Sequence, residues 1–171
     1  MNKRHAKICI LLLFCFIVGF STGIGIKFYY ESTTFKPFAW DDSPVIVNCY
    51  GKDFNKYQFE RAIEYWAIRG YNVGMYVHSP SDEVCDNEWL DGMIILRKSE
   101  KLSNGILANT IRRTSTFTMR SAVIQYAPGS QNLNLLNEHE LGHALGFTHV
   151  EKEKHIMHPH YHKMGRDFYI P

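Results

Sequence analysis

The sequence predicts an α+β domain, a mixed five-stranded twisted sheet with two helices packed on it, following an N-terminal segment apolar enough to cross a membrane. Three observations carry this. The 171 residues allow one modest domain. Five short runs of β-forming character stand against only two stretches of helical periodicity. Residues 8–26 carry no charge. Apolar types at 45% and charged types at 21% exclude a disordered or fibrous chain. Nineteen Lys and Arg against seventeen Asp and Glu leave a net charge of +2, too balanced for a nucleic-acid footprint. The pairs Arg97-Lys98 and Arg112-Arg113 lie beside apolar runs and read as solvated strand edges.

Lys3, Arg4 and Lys7 precede the uncharged run and Lys27 closes it. Nineteen helical residues rise about 28 Å, close to the hydrocarbon thickness of a bilayer. The leading basic residues hold the N-terminus in the cytoplasm and send the remainder across. Residues 1–27 therefore read as a membrane anchor, with a cleaved signal peptide as the rival because Ser21 and Gly23 offer small residues for cleavage. The run continues to Ile26 and Phe28, which favours the anchor. Cys9 and Cys15 lie inside it as small hydrophobes, and bulky Phe14 before Cys15 argues against a lipoprotein signal. Cys49 and Cys85 fall in the exported part and are candidates for a disulfide in an oxidising compartment.

Residues 28–43, rich in aromatics, Ser and Thr, read as a tether, and residues 44–171 as the domain. Residues 45–50 form a first strand. Asp53 caps a helix whose Phe59, Ala62, Ile63 and Trp66 fall at helical spacing, and Gly70 stops it. Residues 71–77, 93–96, 106–111 and 122–126 supply four further strands. Pro128-Gly129 ends that series, and a helix spans 133–145 with Asn132 as its N-cap.

The chemistry concentrates in this last helix and in the residues just C-terminal to it. His139-Glu140-Leu141-Gly142-His143 sets two imidazoles one turn apart on one helix face. That spacing suits two bonds of about 2.0–2.1 Å to a single Zn²⁺. Glu140 can reach a metal-bound water without being a ligand. Gly142 costs a helix interior roughly 1 kcal/mol relative to Ala, which makes sense if something packs closely there. Gly146 can adopt the left-handed conformation that ends a helix, letting His149 swing back as a third ligand. Three protein ligands leave one zinc position open, the mark of a catalytic rather than a structural site. Fixing His139, Glu140, His143, Gly146 and His149 by chance has a probability on the order of 10⁻⁷ per starting position.

The run from His139 to His149 resembles the long zinc motif of the metzincin metallopeptidases, which continue to a Met-turn. Met157, eight residues on, stands where the matrixin branch (matrix metalloproteinases and relatives) carries that methionine. Met157-His158-Pro159-His160-Tyr161 is similar to the matrixin Met-Tyr-Pro-x-Tyr segment, and Gly105-Ile106-Leu107-Ala108 to the Gly-Val-Leu-Ala of the edge strand that pairs with substrate. The resemblance covers about residues 40–165 and implies a metzincin-like sheet with an active-site helix. Asn109 stands where vertebrate matrixins place a histidine of a second, structural zinc, so one catalytic ion is expected. No closely spaced Asp residues precede the edge strand to bind calcium, and no cysteine-switch propeptide is visible. The long final helix of the family has no counterpart after Tyr161, so the aromatic segment near Phe35 and Trp40 is expected to pack behind the active-site helix.

The activity implied is zinc-dependent endopeptidase hydrolysis. Zinc lowers the pKa of bound water from 15.7 towards about 7 and polarises the carbonyl, and Glu140 acts as general base. Leu107 and Ala108 hold an extended peptide by strand addition. Pro159 and Tyr161 wall the pocket for the side chain after the cut bond, and Met157 packs beneath the zinc. His155, His158, His160 and His162 read as solvated surface, and His78 has no assigned role. The expected partners are a peptide or protein substrate and, through the N-terminal segment, a membrane. Two other readings stand beside this one. One is a non-catalytic zinc-containing binding module tethered to the membrane, against which an intact Glu140 argues. The other is a toxin or immunity-type factor with one specific protein partner.

Overall fold

The computed structural model describes residues 39–78 and 80–170. The anchor read over 1–27, and the tether as far as residue 38, lie outside these residues. Among the described residues no helix is long and apolar enough to cross a membrane.

A mixed six-stranded sheet forms the frame. Strand β1 (Ala39–Trp40) lies within the stretch read as a tether and adds one strand to the five expected. Strand β2 (Val45–Asn48) leads to helix α1 (Lys56–Ala67), then β3 (Tyr76–Val77), a short helix α2 (Asp82–Asp86) and β4 (Met93–Lys98). The hairpin of β5 (Ala108–Ser115) and β6 (Thr118–Tyr126) precedes helix α3 (Leu136–Ala144). Pairing is parallel along β3, β2, β4 and β6. On the same side of β6 as β4, β1 pairs in parallel with Thr118 and Met119. The antiparallel β5 takes the opposite edge of β6 and has no other partner among the described residues.

Several boundaries differ from expectation for physical reasons. Helix α1 is capped by Asn55, whose side chain accepts from the Gln58 amide, rather than by Asp53. Beyond it, residues 71–75 do not pair as strand; Gly74 is turned instead to donate to the Pro44 carbonyl. Asn132 belongs to a 3₁₀ turn, so α3 starts later than expected. Leu135 occupies the N-cap position at φ 66°, a left-handed conformation uncommon for a branched side chain. The short α2 is an addition to the expected elements; it carries Cys85, which is bonded to Cys49 after β2 with Cα atoms 5.4 Å apart. Closing a loop of 36 residues stabilises the fold by about 4 kcal/mol in the chain-entropy view.

Both principal helices lie against the sheet around one core. Ile46, Ile94, Leu96, Ala122, Ile124 and Tyr126 meet Phe59, Ala62 and Trp66 of α1 and Leu141 and Ala144 of α3. Trp66 is fully buried, stacks on Phe147 at 5.0 Å and meets Phe168 edge-on at 5.0 Å. These rings fill the space behind α3. From the aromatic segment expected there, Trp40 contributes a 2.9 Å hydrogen bond to the Ala144 carbonyl at the end of α3, while Phe35 lies outside the described residues.

Candidate metal centre

The backbone of α3 ends in a way that explains the third histidine. The Phe147 amide donates to Gly142 O at 3.0 Å and the Gly146 amide to His143 O at 3.0 Å. Together with φ 106° at Gly146 this is a Schellman turn, which few residues other than glycine accept. The chain reverses there, and the Val150 amide then donates to Met157 O at 2.9 Å. His149 is thereby returned to the helix.

His139, His143 and His149 converge. The Nε2 atom of His143 lies 3.1 Å from Nε2 of His139 and 3.1 Å from Nε2 of His149. Two nitrogens bound to one tetrahedral zinc stand about 3.3 Å apart, so the spacing fits that ion closely. The Nδ1 atoms are tied elsewhere: His139 Nδ1 sits 2.8 Å from Ile156 O and His143 Nδ1 2.8 Å from Phe147 O. A carbonyl can only accept, so each Nδ1 carries the proton and each Nε2 presents a lone pair to the common point. Burial pushes His139 down to about 4 and His143 to about 3, and lowers His149 as well, so the imidazoles are neutral near pH 7. Neutral nitrogens facing one another at 3.1 Å are a donor set for a cation. The chain's residues fit Zn²⁺.

Glu140 is 4% exposed. Burial raises its carboxyl to about 7, and a hydrogen bond from Thr110 opposes that shift. The Thr110 hydroxyl lies 2.6 Å from Glu140 Oε2 and 3.2 Å from the Glu140 carbonyl. It reaches across from β5 and fixes the carboxyl beside the triad.

Under the helix, Gly142 has the close neighbours that its position suggests. A Cβ built there would lie 2.5 Å from Cζ2 of Trp66 and nearer still to Sδ of Met157. Met157 is fully buried beneath the triad as packing. The turn that carries it is held by two histidines. His155, 1% exposed, accepts from the Met157 amide on Nδ1 at 3.0 Å and places Nε2 3.0 Å from Tyr169 O. His158, 5% exposed, accepts from the His160 amide at 3.0 Å. Reading His155 and His158 as solvated surface is thus incorrect; they replace missing backbone partners in a tight turn. His160 and His162 are exposed as expected.

Opposite the helix runs β5, and the two enclose a cleft of about 700 Å³. Leu107, Ala108, Pro159 and Tyr161 all line it, with the triad, Glu140, Thr110 and Arg112. Leu107 O is occupied by the Ala127 amide at 2.9 Å and the Ser130 hydroxyl at 2.6 Å. Peptide groups alternate in direction along a strand. The amides and carbonyls of Ala108, Thr110 and Arg112 therefore lie on the unpaired edge. Side chains alternate too: Ala108, Thr110 and Arg112 are half-buried, while Asn109, Ile111 and Arg113 are exposed. Arg112 is accordingly not a solvated edge residue. Arg97 also turns inward, donating to the carbonyls of Cys85 and Asn87.

Thr110 and Arg112 are site residues that sequence reasoning does not single out. The signal is present in the period of two that starts at Ala108, but nothing local shows which face meets the helix. No curated protein matches the chain. The matrixin family model matches residues 24–170.

Proposed function

The chain belongs to the matrixin family of zinc-dependent metallopeptidases, and from that premise we propose that it is an endopeptidase cutting extended peptide segments outside the cytoplasm, with Glu140 as general base. The observation that carries this is the meeting, in one cleft, of three convergent imidazole nitrogens, a buried carboxyl and an unpaired strand edge. His139, His143 and His149 would hold the Zn²⁺. That ion supplies Lewis acidity, bringing the pKa of a water towards about 7 and polarising the scissile carbonyl.

The remaining work falls to the chain. An extended peptide adds to the edge of β5 through the peptide groups of Ala108 and Thr110, which gives affinity with little sequence demand. Leu107 lines the cleft at that strand's start, and Pro159 and Tyr161 wall the pocket for the side chain after the cut bond. Glu140, whose carboxyl is raised by burial, can take the water's proton and release it to the leaving amine. Thr110 holds Oε2 in place during both transfers. Met157 supports the triad from below.

We also propose that residues 1–27 anchor the domain to a membrane from its outer side, or are cleaved to release it. The Lys3, Arg4 and Lys7 cluster and the Cys49–Cys85 bond support an oxidising location. The mass of the mature N-terminus distinguishes the two.

The test is a mixed peptide library with purified, zinc-loaded protein. Cleavage should occur and stop with chelator. Glu140→Gln should lower kcat by about 10²–10⁴ while one zinc per chain is retained. Zinc-loaded wild type that cuts nothing would favour the binding module, and a fully active Glu140→Gln would remove the general base from the scheme.

A further inference from the structure

One cation in the cleft is unanswered. Arg112 comes after Ala108 and Thr110 on the inner face of β5, and at about 3.3 Å per residue its Cα lies about 7 Å beyond that of Thr110. Since Thr110 touches Glu140, that carries Arg112 past the reacting groups, along the strand away from Ala108. Its Nη1 is shielded from solvent and has no hydrogen-bond partner. Neighbouring arginines each have a partner for the guanidinium: Arg113 and Arg120 face Asp91 at 4.0 and 2.8 Å, and Arg97, whose Nε is also unpartnered, donates to two carbonyls through Nη2. Among the cleft-lining residues Glu140 is the sole carboxylate, and one of its oxygens is taken by Thr110. Burial pulls the Arg112 guanidinium below its usual value, and its charge is felt by His143 and His149, which places it close to the triad.

A guanidinium nitrogen shielded from water without a partner is costly, and a carboxylate is the group whose two oxygens match the guanidinium fork. Such an uncompensated charge inside a binding cleft is satisfied when the ligand brings the opposite one. We propose that Arg112 is a specificity-determining residue that binds an Asp or Glu side chain of the substrate, in the segment preceding the cut bond. The inference rests on the peptidase reading for its orientation: with the pocket for the residue after the cut bond at Leu107, Ala108, Pro159 and Tyr161, Arg112 serves the other side. The pairing predicts discrimination rather than rate alone, because a neutral isostere leaves the guanidinium unpaired.

The experiment compares peptides carrying Glu, Gln or Lys at each position before the cut bond. Wild type should show a kcat/KM for Glu over Gln of tenfold or more at one or two of those positions. Arg112→Gln should erase that ratio, and Arg112→Glu should invert it in favour of Lys, both with zinc stoichiometry and thermal melting near wild type. An unchanged ratio in both variants, or an equal loss of kcat on all peptides, would overturn the proposal; the second result would mean that Arg112 acts on the reacting carbonyl instead. A binding arm separates this from failure of the peptidase reading. Zinc-loaded Glu140→Gln protein is titrated with fluorescein-labelled Glu and Gln peptides and read by anisotropy. Tighter binding of the Glu peptide that disappears with Arg112→Gln supports the site even if no turnover is found, and equal binding counts against it.

Discussion

The two walls of the cleft are built on opposite plans. Helix α3 and the Met157 turn bury most of what they contribute, with His139, Glu140 and Met157 at 6, 4 and 0% exposure, while His143 is half-buried and His149 exposed. The facing wall, β5, is an edge strand whose inner residues are only half-buried and alternate with exposed ones. Reactive groups are thus fixed on a packed wall, where second contacts such as Ile156 O on His139 set their orientation. Recognition is left to an open wall that offers peptide groups and two polar side chains. The contrast teaches that burial here is heaviest at His139, Glu140 and the Met157 turn beneath them.

That burial falls on two histidines and a carboxyl of the packed wall, and it makes the largest effect. A histidine whose folded-state pKa is depressed stays neutral in the fold but takes a proton when the chain unfolds, so acid favours unfolding. His139 and His143, at about 4 and about 3 because of burial, act in this sense below pH 6.5. Glu140, raised to about 7 by burial, acts in the opposite sense between pH 4.5 and 7, since the fold keeps its proton longer than the unfolded chain does. Two groups outweigh one. The metal-free protein should lose on the order of 3 kcal/mol between about pH 6.5 and 4.5, and more at lower pH. Thermal melting of metal-free protein from about pH 4 to 8 checks this. A melting temperature that is flat across that range would remove the distinction between the walls.

The next effect breaks the packed wall mechanically. Gly142→Ala adds a methyl where Trp66 and Met157 already stand, with 2.5 Å to Trp66 Cζ2. Overpacking typically costs about 1–3 kcal/mol, and alanine recovers about 1 kcal/mol of helix propensity. Trp66 is fully buried and donates at 2.7 Å to the Glu138 carbonyl, so it cannot yield cheaply, and overpacking wins. The variant should melt lower and, because Met157 adjoins the Ile156 carbonyl that orients His139, bind zinc more weakly. Competition with a chromophoric chelator measures the second effect. A variant with wild-type melting and zinc affinity would show that the wall is more compliant than its packing indicates.

What can be read from the sequence divides along the same line. The helix wall is legible because its spacing is local: i and i+4 put two histidines on one face, and Gly146 announces the turn that returns the third. The alternation of strands and helices points to the mixed sheet, though β1 and α2 escape notice because two and five residues carry no usable period. Buried His155 and His158 pass for solvated residues, since only the fold reveals that their ring nitrogens serve backbone amides of the Met157 turn. On β5 the period of two separates Thr110 and Arg112 from Asn109 and Arg113, yet parity alone cannot say which set faces Glu140. That is decided by the register of β5 on β6, in which Thr110 opposes Ile124, a contact between distant parts of the chain.

Thr110 is where the two walls touch, and it gives the smallest and sharpest test. Its hydroxyl is the one side-chain hydrogen bond holding Glu140 among the described residues. A hydrogen bond to a charged group contributes roughly 1.5–3 kcal/mol, but Glu140 is also confined by burial. Thr110→Val, which keeps shape and removes the hydroxyl, should therefore lower kcat by about tenfold, the low end of that range. KM should change little, because the peptide groups of β5 that pair with substrate remain. Since the hydroxyl opposes the upward push of burial on Glu140, its loss should also move the acid limb of the pH profile to higher pH. Thr110→Ser should restore both rate and profile. If Val lowers the rate but Ser fails to rescue it, the methyl is what matters, and Thr110 belongs to the packing of the cleft. If neither variant changes kcat, burial alone positions Glu140, and the strand wall contributes recognition only.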